Sequence, residues 1–375
     1  MALPRFPVLN CFSRLRDPRK SRREKKHMLL DIIAIAICAV IAGSDNWQQV
    51  HAFTQARENW LRTFIGLPNG VPSHDTFERV FEMLSPQSVQ RCFLRWIESV
   101  IERSDEPHFA IDGKTLRGSR NRRKGQRPLH LVSVWDTNAG LSLGQQAVAE
   151  KSNEITAIPI LLKLVVVDGA WVSIDAMGCQ KKIAALIVEG GGNYALTVKR
   201  NQSHLAEDLT SAFAAADERN FQGLSCSQYM TYDTGHGRVE KRDYHVIMNP
   251  ENIRHHKEWK NLAVIGRCIS ERTCSGKTAR EEHYFIGSKD AEAQRYGTIL
   301  RNHWRIENSL HWQLDMTFNE DSSRIRNVNT AENFATLRKL ALCLLKRHPA
   351  KDSIAVKRYR ATMSESFLEE VIVYE

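Results

Sequence analysis

The spacing of apolar positions along the chain changes twice. From about residue 29 to residue 101, apolar runs at 29–41, 47–53, 60–67 and 89–101 are separated by turn signals such as Gly43-Ser44-Asp45 and Pro68-Asn69-Gly70. Ser73-His74-Asp75, followed by Phe77, Val80 and Phe81, predicts a capped helix start with an apolar face. Residues 1–100 therefore read as a small helical domain.

After Pro107 the pattern becomes strand-like. Residues 108–112 predict a short buried strand ending in an acid, and 129–136 and 141–148 two more, joined by the turn Thr137-Asn138-Ala139-Gly140. Ser152 and Asn153 can cap a helix carrying Ile155, Ile158, Leu161 and Leu162. A strand (171–174) ending at Asp175, a helix (180–189) and a strand (194–198) follow. Three strands, then helix–strand–helix–strand, predict a mixed sheet covered by helices, the α/β class, with acids at strand ends where open sheets place their sites.

From about 203 to 288 a helical start gives way to strand-like stretches at 229–232, 239–246, 262–270 and 283–286, which read as a β-rich insertion. Helices return at 291–318 and 330–346, so a second domain spans 101–348, and 349–375 reads as a basic, then acidic, tail.

Composition narrows the function. With 42% hydrophobic and 26% charged residues the chain is ordinary globular protein, but 53 Lys and Arg against 43 Asp and Glu leave a net charge of +10, which suits an anionic partner. The eight cysteines are scattered without a CxxC pair, so a reduced, cytoplasmic setting is expected and structural zinc is not. Nine Lys or Arg before His27 and the apolar run from Met28 to Gly43 superficially have the form of a signal peptide. The uninterrupted apolar part, 32–43, is too short to span a membrane, and a buried helix is the better reading.

Three acids are candidates for chemistry. Asp112 in Ala-Ile-Asp-Gly-Lys-Thr and Asp175 in Val-Ser-Ile-Asp-Ala-Met each follow an apolar strand, and a carboxylate buried there is costly unless paired or metal-bound. On one sheet the two could converge on a hard, oxygen-seeking Mg²⁺. Taken singly, each reads more simply as a strand-ending Asp at a turn or cap. Glu307 lies in Arg301-Asn-His-Trp-Arg-Ile-Glu-Asn-Ser-Leu-His-Trp312, where helical spacing puts Ile306, Leu310 and Leu314 on one stripe and His303, Glu307 and His311 on the next. Packing the apolar stripe on the sheet would turn Glu307 towards the aspartates. A lone helix Glu more often pairs with a basic neighbour. The His303–Glu307–His311 stripe also permits a zinc reading, but its spacing is not that of an HExxH site and no third soft ligand is apparent.

Seven basic residues and no acid occur between Lys114 and Arg127: Lys114, Arg117, Arg120, Arg122, Arg123, Lys124 and Arg127. Beside a metal ligand such a run would attract phosphates, whereas elsewhere it would be a solvated loop.

With these residues in view, the chain resembles the DDE transposases of bacterial insertion sequences, in particular the H-repeat-associated group. The stretches that carry the resemblance are Ala-Ile-Asp112-Gly-Lys-Thr-Leu-Arg, Glu150-Lys-Ser-Asn-Glu-Ile-Thr-Ala-Ile-Pro159, Asp175-Ala-Met-Gly-Cys-Gln180, His236-Gly-Arg-Val-Glu240 and His303-Trp-Arg-Ile-Glu307-Asn-Ser-Leu-His-Trp312. The apolar segment ending Ile-Cys-Ala-Val-Ile-Ala-Gly43 is similar to the family's associated domain. Similarity runs from about residue 26 to 345.

The resemblance implies an RNase H-like core interrupted by a β-rich insertion before the glutamate helix. It implies that Asp112, Asp175 and Glu307 bind two Mg²⁺ ions, with Mn²⁺ as a substitute, and catalyse strand cleavage and transfer at insertion-sequence ends. The expected partners are double-stranded DNA, as terminal inverted repeats and target, and a second copy of the chain on paired ends. Lys114, Lys199, His236 and Arg238 become candidate phosphate neighbours. The wider clan often shows Tyr, Arg and Lys around the glutamate; here Leu300, His303 and Leu314 occupy those positions, so phosphate contacts attributed to that signature do not carry over. Arg200 stands where the family usually has Gly. A decayed DNA-binding relic and a plain RNase H-like nuclease are the alternatives.

Overall fold

The structure, a computed structural model, describes residues 6–20, 25–102, 104–121, 123, 125–149, 152–235, 237–250 and 252–374. Among these, nine strands form one mixed sheet: β1 (His108–Leu116), β2 (Leu129–Asp136), β3 (Leu141–Ala147), β4 (Trp171–Ile174), β5 (Asn193–Val198), β6 (Cys226–Gly235), β7 (Arg238–Met248), β8 (Val264–Cys274) and β9 (Lys277–Gly287). Their order across the sheet is β3-β2-β1-β4-β5-β9-β8-β7-β6. β1, β2 and β3 pair antiparallel, whereas β4 and β5 run parallel to β1. This five-strand arrangement is RNase H-like, as the resemblance implied.

The central strands are continuous apolar runs because both faces are covered. Ala110, Ile111, Val132, Val134, Val172, Ile174, Ala195 and Leu196 are all buried. The parallel neighbours β4 and β5 need a crossover, supplied by the helix Lys181–Glu189. The insertion is not a separate sheet: β9 pairs antiparallel with β5, Leu196 opposite Ile286, and long hairpins continue outward from there.

In chain order the helices are α1 (Pro7–Phe12), α2 (Leu29–Ile41), α3 (Trp47–Ala56), α4 (Glu58–Leu61), α5 (His74–Met83), α6 (Pro86–Val100), α7 (Glu154–Leu162), α8 (Lys181–Glu189), α9 (Ser203–Glu218), α10 (Ala293–His303), α11 (Trp312–Met316), α12 (Val328–Arg347), α13 (Ile354–Met363) and α14 (Glu365–Val373). The Ser73 side chain accepts a hydrogen bond from the Thr76 N–H, which caps α5 as its sequence predicts. α2 is buried on every side except at Leu30, the expected fate of a helix apolar all round. No helix among the described residues is long and apolar enough to cross a membrane.

α12 ties the helical layer to the sheet. It packs on α2, α5 and α6 and also on β3, and Asn333 on it donates to the Phe81 and Leu84 carbonyls at 2.8 and 3.0 Å. The segment after Pro349 is not a pendent tail. α13 and α14 dock on α2, burying Phe367, Leu368, Val371 and Ile372. A polar-looking sequence hid this, because Lys357 and Arg358 are buried with the Leu345 carbonyl and the Asp45 carboxylate as partners, at 2.9 and 2.7 Å.

Candidate active site

β1 is longer than its apolar run. It continues past Asp112 to Leu116, with Asp112 opposite Ser133 on β2, so the acid sits within a strand and not at its end. The parallel neighbour β4 does end before its acid. Because Ile111 pairs with Ile174, Asp112 and Asp175 are the residues that come next on two adjacent parallel segments, and neighbouring strands run about 4.8 Å apart.

The glutamate arrives from the far end of the insertion. Ile306, Leu310 and Leu314 are fully buried, each burial worth about 1.5–3 kcal/mol, and this seats the segment on the sheet as its sequence stripe predicts. The backbone departs from a plain α-helix there. Glu307–His311 is a π turn in which the Trp312 N–H donates to the Glu307 carbonyl, five residues back. Such turns are rare and concentrate at functional sites.

The result is a compact cluster. One ligand-capable atom each from Asp112, Glu307 and His311 lies within 4.8 Å of the others, an arrangement able to hold a metal ion. His311 Nδ1 stands 3.5 Å from both Asp112 Oδ2 and Glu307 Oε2. Asp112 is mostly buried, and loss of solvation pushes its carboxyl up to about 6; His311 opposes the shift and Glu307 adds to it. Glu307, half-exposed, is held below its usual range chiefly by the His311 ring, whose Nδ1 stands 3.5 Å from its Oε2. The pair shares its charge unevenly, with the buried Asp112 as the stronger proton holder.

Asp175 is outside that cluster. Lys199 Nζ lies 3.3 Å from its Oδ1 and 3.4 Å from its Oδ2, while Oδ1 is shielded from solvent and accepts no hydrogen bond. Behind the acids runs a buried hydrogen-bond chain. Thr137 Oγ1 meets His108 Nδ1 at 2.9 Å, His108 Nε2 meets Ser173 Oγ at 2.8 Å, and Ser173 Oγ meets His303 Nδ1 at 3.0 Å. Burial pushes His108 down to about 3 and His303 down to about 4, although Asp175 and Glu307 partly counter the fall at His303. Both rings are therefore neutral at physiological pH.

A fourth acid borders the site. Glu154, the first residue of α7, accepts from or shares a proton with His130 Nε2 at 2.7 Å, and His130 Nδ1 meets Thr115 Oγ1 at 2.7 Å. It is close enough to help raise Asp112. Gly113 makes room for it, since a Cβ there would lie 2.1 Å from Glu154 Oε1. Sequence reading gave no role to Glu154, His130 or Ser173; the only signal was Glu154's position inside a matching stretch next to a helix cap.

The described basic candidates divide into three sets. Lys114 faces inward: its ammonium pairs with Asp315 and, at 2.9 Å, with Glu320, so its charge is already matched. Burial alone would lower its pKa, but Glu320 and Asp315 outweigh that and raise it. Arg117, Arg120, Arg123 and Arg127 are exposed. Arg122, Lys124 and His236 lie outside the described residues. Lys199 and Arg238 line, with Glu307, Arg301 and the half-exposed Trp304, a cavity of about 510 Å³ between the insertion strands and α10. Two predicted phosphate neighbours thus share a groove with the catalytic candidate. All eight cysteines are free.

Two acids from distant segments, Asp112 and Glu307, meet over the interior of the sheet in a metal-capable arrangement, which defines a class of metal-capable α/β proteins, and comparison with known proteins specifies which. The model described as Transposase DDE domain matches residues 103–344, and the DDE_Tnp_1-associated model matches 9–97. The chain belongs to the DDE-domain transposase family. It is 37% identical over 374 residues to "Putative transposase YncI" of Escherichia coli O157:H7, covering 97% of this chain and 94% of that one. It is 35% identical over 353 residues to "H repeat-associated putative transposase YhhI" of Escherichia coli K12, covering 92% and 93%. Among solved structures, a piggyBac transposase synaptic complex with hairpin DNA aligns with a TM-score of 0.40 and 11% identity, over 97% of this chain and 77% of that one.

Proposed function

We propose that this chain cuts and rejoins DNA strands at the ends of an insertion sequence, using divalent ions held by Asp112, Asp175 and Glu307. The observation that carries the reading is the meeting of Asp112 and Glu307, 195 positions apart in sequence, in one cluster beside the end of β4.

The residues suit a divalent cation. Asp112 is mostly buried beside a second carboxylate, which is unfavourable without a cation, and Asp175 Oδ1 is a shielded acceptor without a hydrogen bond. Oxygen donors of this kind fit Mg²⁺, with Mn²⁺ as a substitute. Bound ions would activate water or a DNA 3′-hydroxyl and neutralise charge on the leaving oxygen.

The protein's own part is placement. Glu307 opens into the groove lined by Lys199 and Arg238, so a phosphodiester lying there reaches the acids with cations on its flank. Lys199, half-exposed, can leave Asp175 for a phosphate. The exposed arginines of the loop after β1 extend the basic surface, and its electrostatic contribution is independent of base sequence. The neutral His303, tethered through Ser173 to His108, keeps a fixed dipole against Asp175 without adding a charge.

The test is incubation of purified protein with Mg²⁺ and duplex DNA carrying the inverted repeats that flank its gene. Nicking and joining at the repeat ends is expected, and Glu307→Gln should lower it by about 10³-fold while leaving DNA retardation intact. Retardation without cleavage by the unaltered protein would instead favour the relic, and cutting indifferent to the repeats a plain nuclease.

A further inference from the structure

The two histidines that flank Glu307 at helical spacing do different things. His303 turns away to Ser173, 3.0 Å from its Nδ1, and is accounted for by that chain. His311 turns inward to the acids. It is 5% exposed, its Nε2 is buried without a hydrogen-bond partner, and its Nδ1 lies at the same 3.5 Å from one oxygen of Asp112 and one of Glu307.

That symmetry is hard to explain with hydrogen bonding alone. Nδ1 carries either one proton or one lone pair. A single proton can point well at only one oxygen, and 3.5 Å is long for a charge-assisted bond to either. A lone pair facing two carboxylates is repulsive unless a cation lies between them. One cation satisfies all three at once: ligand atoms about 2.1 Å from a common ion, at octahedral or tetrahedral angles, stand roughly 3.0–3.5 Å apart. The π turn from Glu307 to His311 widens the helix at the residues that would have to share the ion.

We propose that His311 is a ligand of the divalent ion, completing with Asp112 and Glu307 a mixed nitrogen–oxygen site on one side of the cluster. The proposal rests on the reading of the acids as metal ligands and adds a donor to that set. It also gives the site a chemical preference. An imidazole suits Mn²⁺ and later transition ions better than Mg²⁺, so the site should favour Mn²⁺ over Mg²⁺ more strongly than an all-carboxylate site does.

The probe is Mn²⁺ added to the full-length protein without DNA. Pulsed electron paramagnetic resonance should show a ¹⁴N coupling to the bound Mn²⁺, replaced by a ¹⁵N coupling when histidine is ¹⁵N-labelled. In His311→Gln the coupling should vanish, Mn²⁺ affinity should fall about tenfold or more, and the Mn²⁺-over-Mg²⁺ preference should shrink. The coupling should survive in His303→Asn. Mn²⁺ that binds in a Glu307-dependent way without any nitrogen coupling overturns the assignment of His311 and leaves the carboxylate site standing. A coupling that persists in His311→Gln also overturns it. Mn²⁺ binding that ignores Glu307→Gln, or no binding, overturns both readings. Absence of the coupling in the unaltered protein overturns the assignment even where a variant folds poorly.

Discussion

Lys199 holds its ammonium 3.3 Å from Asp175 Oδ1, next to the strand that carries Asp112. The pair puts a protein cation on an acid proposed above as a metal ligand. It joins two elements of the core, since Asp175 follows β4 and Lys199 follows β5, its parallel neighbour.

Removing that cation should have opposite effects on two ligands. A half-exposed ion pair is worth at most about 1 kcal/mol, so Lys199→Met is expected to raise Mg²⁺ affinity by up to about fivefold in calorimetric titration. The same variant should bind DNA more weakly, because Lys199 lines the groove. Unchanged or weaker Mg²⁺ binding would show that Lys199 does not compete at Asp175.

The exposed arginines of the loop after β1 make a prediction about salt. Each lost phosphate contact should flatten the dependence of log K on log salt by about 0.9. Replacing Arg117, Arg120, Arg123 and Arg127 together by Ala is expected to lower the slope by up to about 3.6, alike for repeat and random duplexes. Lys114→Ala should leave the slope unchanged, since Asp315 and Glu320 already neutralise that charge, but should destabilise the fold by stranding the buried Glu320.

Burial of His108 gives a pH signature. Its pKa is pushed down to about 3 by loss of solvation, against an ordinary value of 6.5. Between pH 6.5 and 3 the unfolded chain therefore takes up a proton that the folded chain refuses, and stability falls as pH falls. Above 6.5 the ring is neutral in both states and adds no pH dependence. His108→Asn removes this one proton, so the stability gap between the unaltered protein and the variant should shift by about 2 kcal/mol against the unaltered protein from pH 7 to pH 5. Urea denaturation at the two pH values measures it; a constant gap would mean that His108 is protonated within the fold.

Local pattern made much of the fold legible. Strands 129–136 and 171–174 and the helix 29–41 coincide with the observed elements, because each is an apolar run closed by a turn signal. The sequence also placed Asp112 and Glu307 within reach of each other. What escaped it depends on partners far along the chain. Nothing near Lys114 shows that Asp315 and Glu320, 201 and 206 residues away, will take its charge. Gly113 to Leu116 looked like loop because only pairing with Leu129 to Val132 makes it strand. The stripe that turns Glu307 towards the aspartates already carried His311, but the π turn between them is invisible to a search at the ordinary helical period. α13 was missed because its buried Lys357 and Arg358 find carbonyl and carboxylate partners that composition does not reveal.

Asp112, Asp175 and Glu307 are proposed to surround one divalent-ion pocket, and the ion itself can report its neighbours. Fe²⁺ with ascorbate generates hydroxyl radicals that cut the polypeptide only beside the bound metal. Cuts clustered at three places, around residues 112, 175 and 307, are expected, all suppressed by excess Mg²⁺. Mg²⁺-sensitive cutting that spares the segment around Asp175, or that falls at none of the three, would contradict the shared pocket.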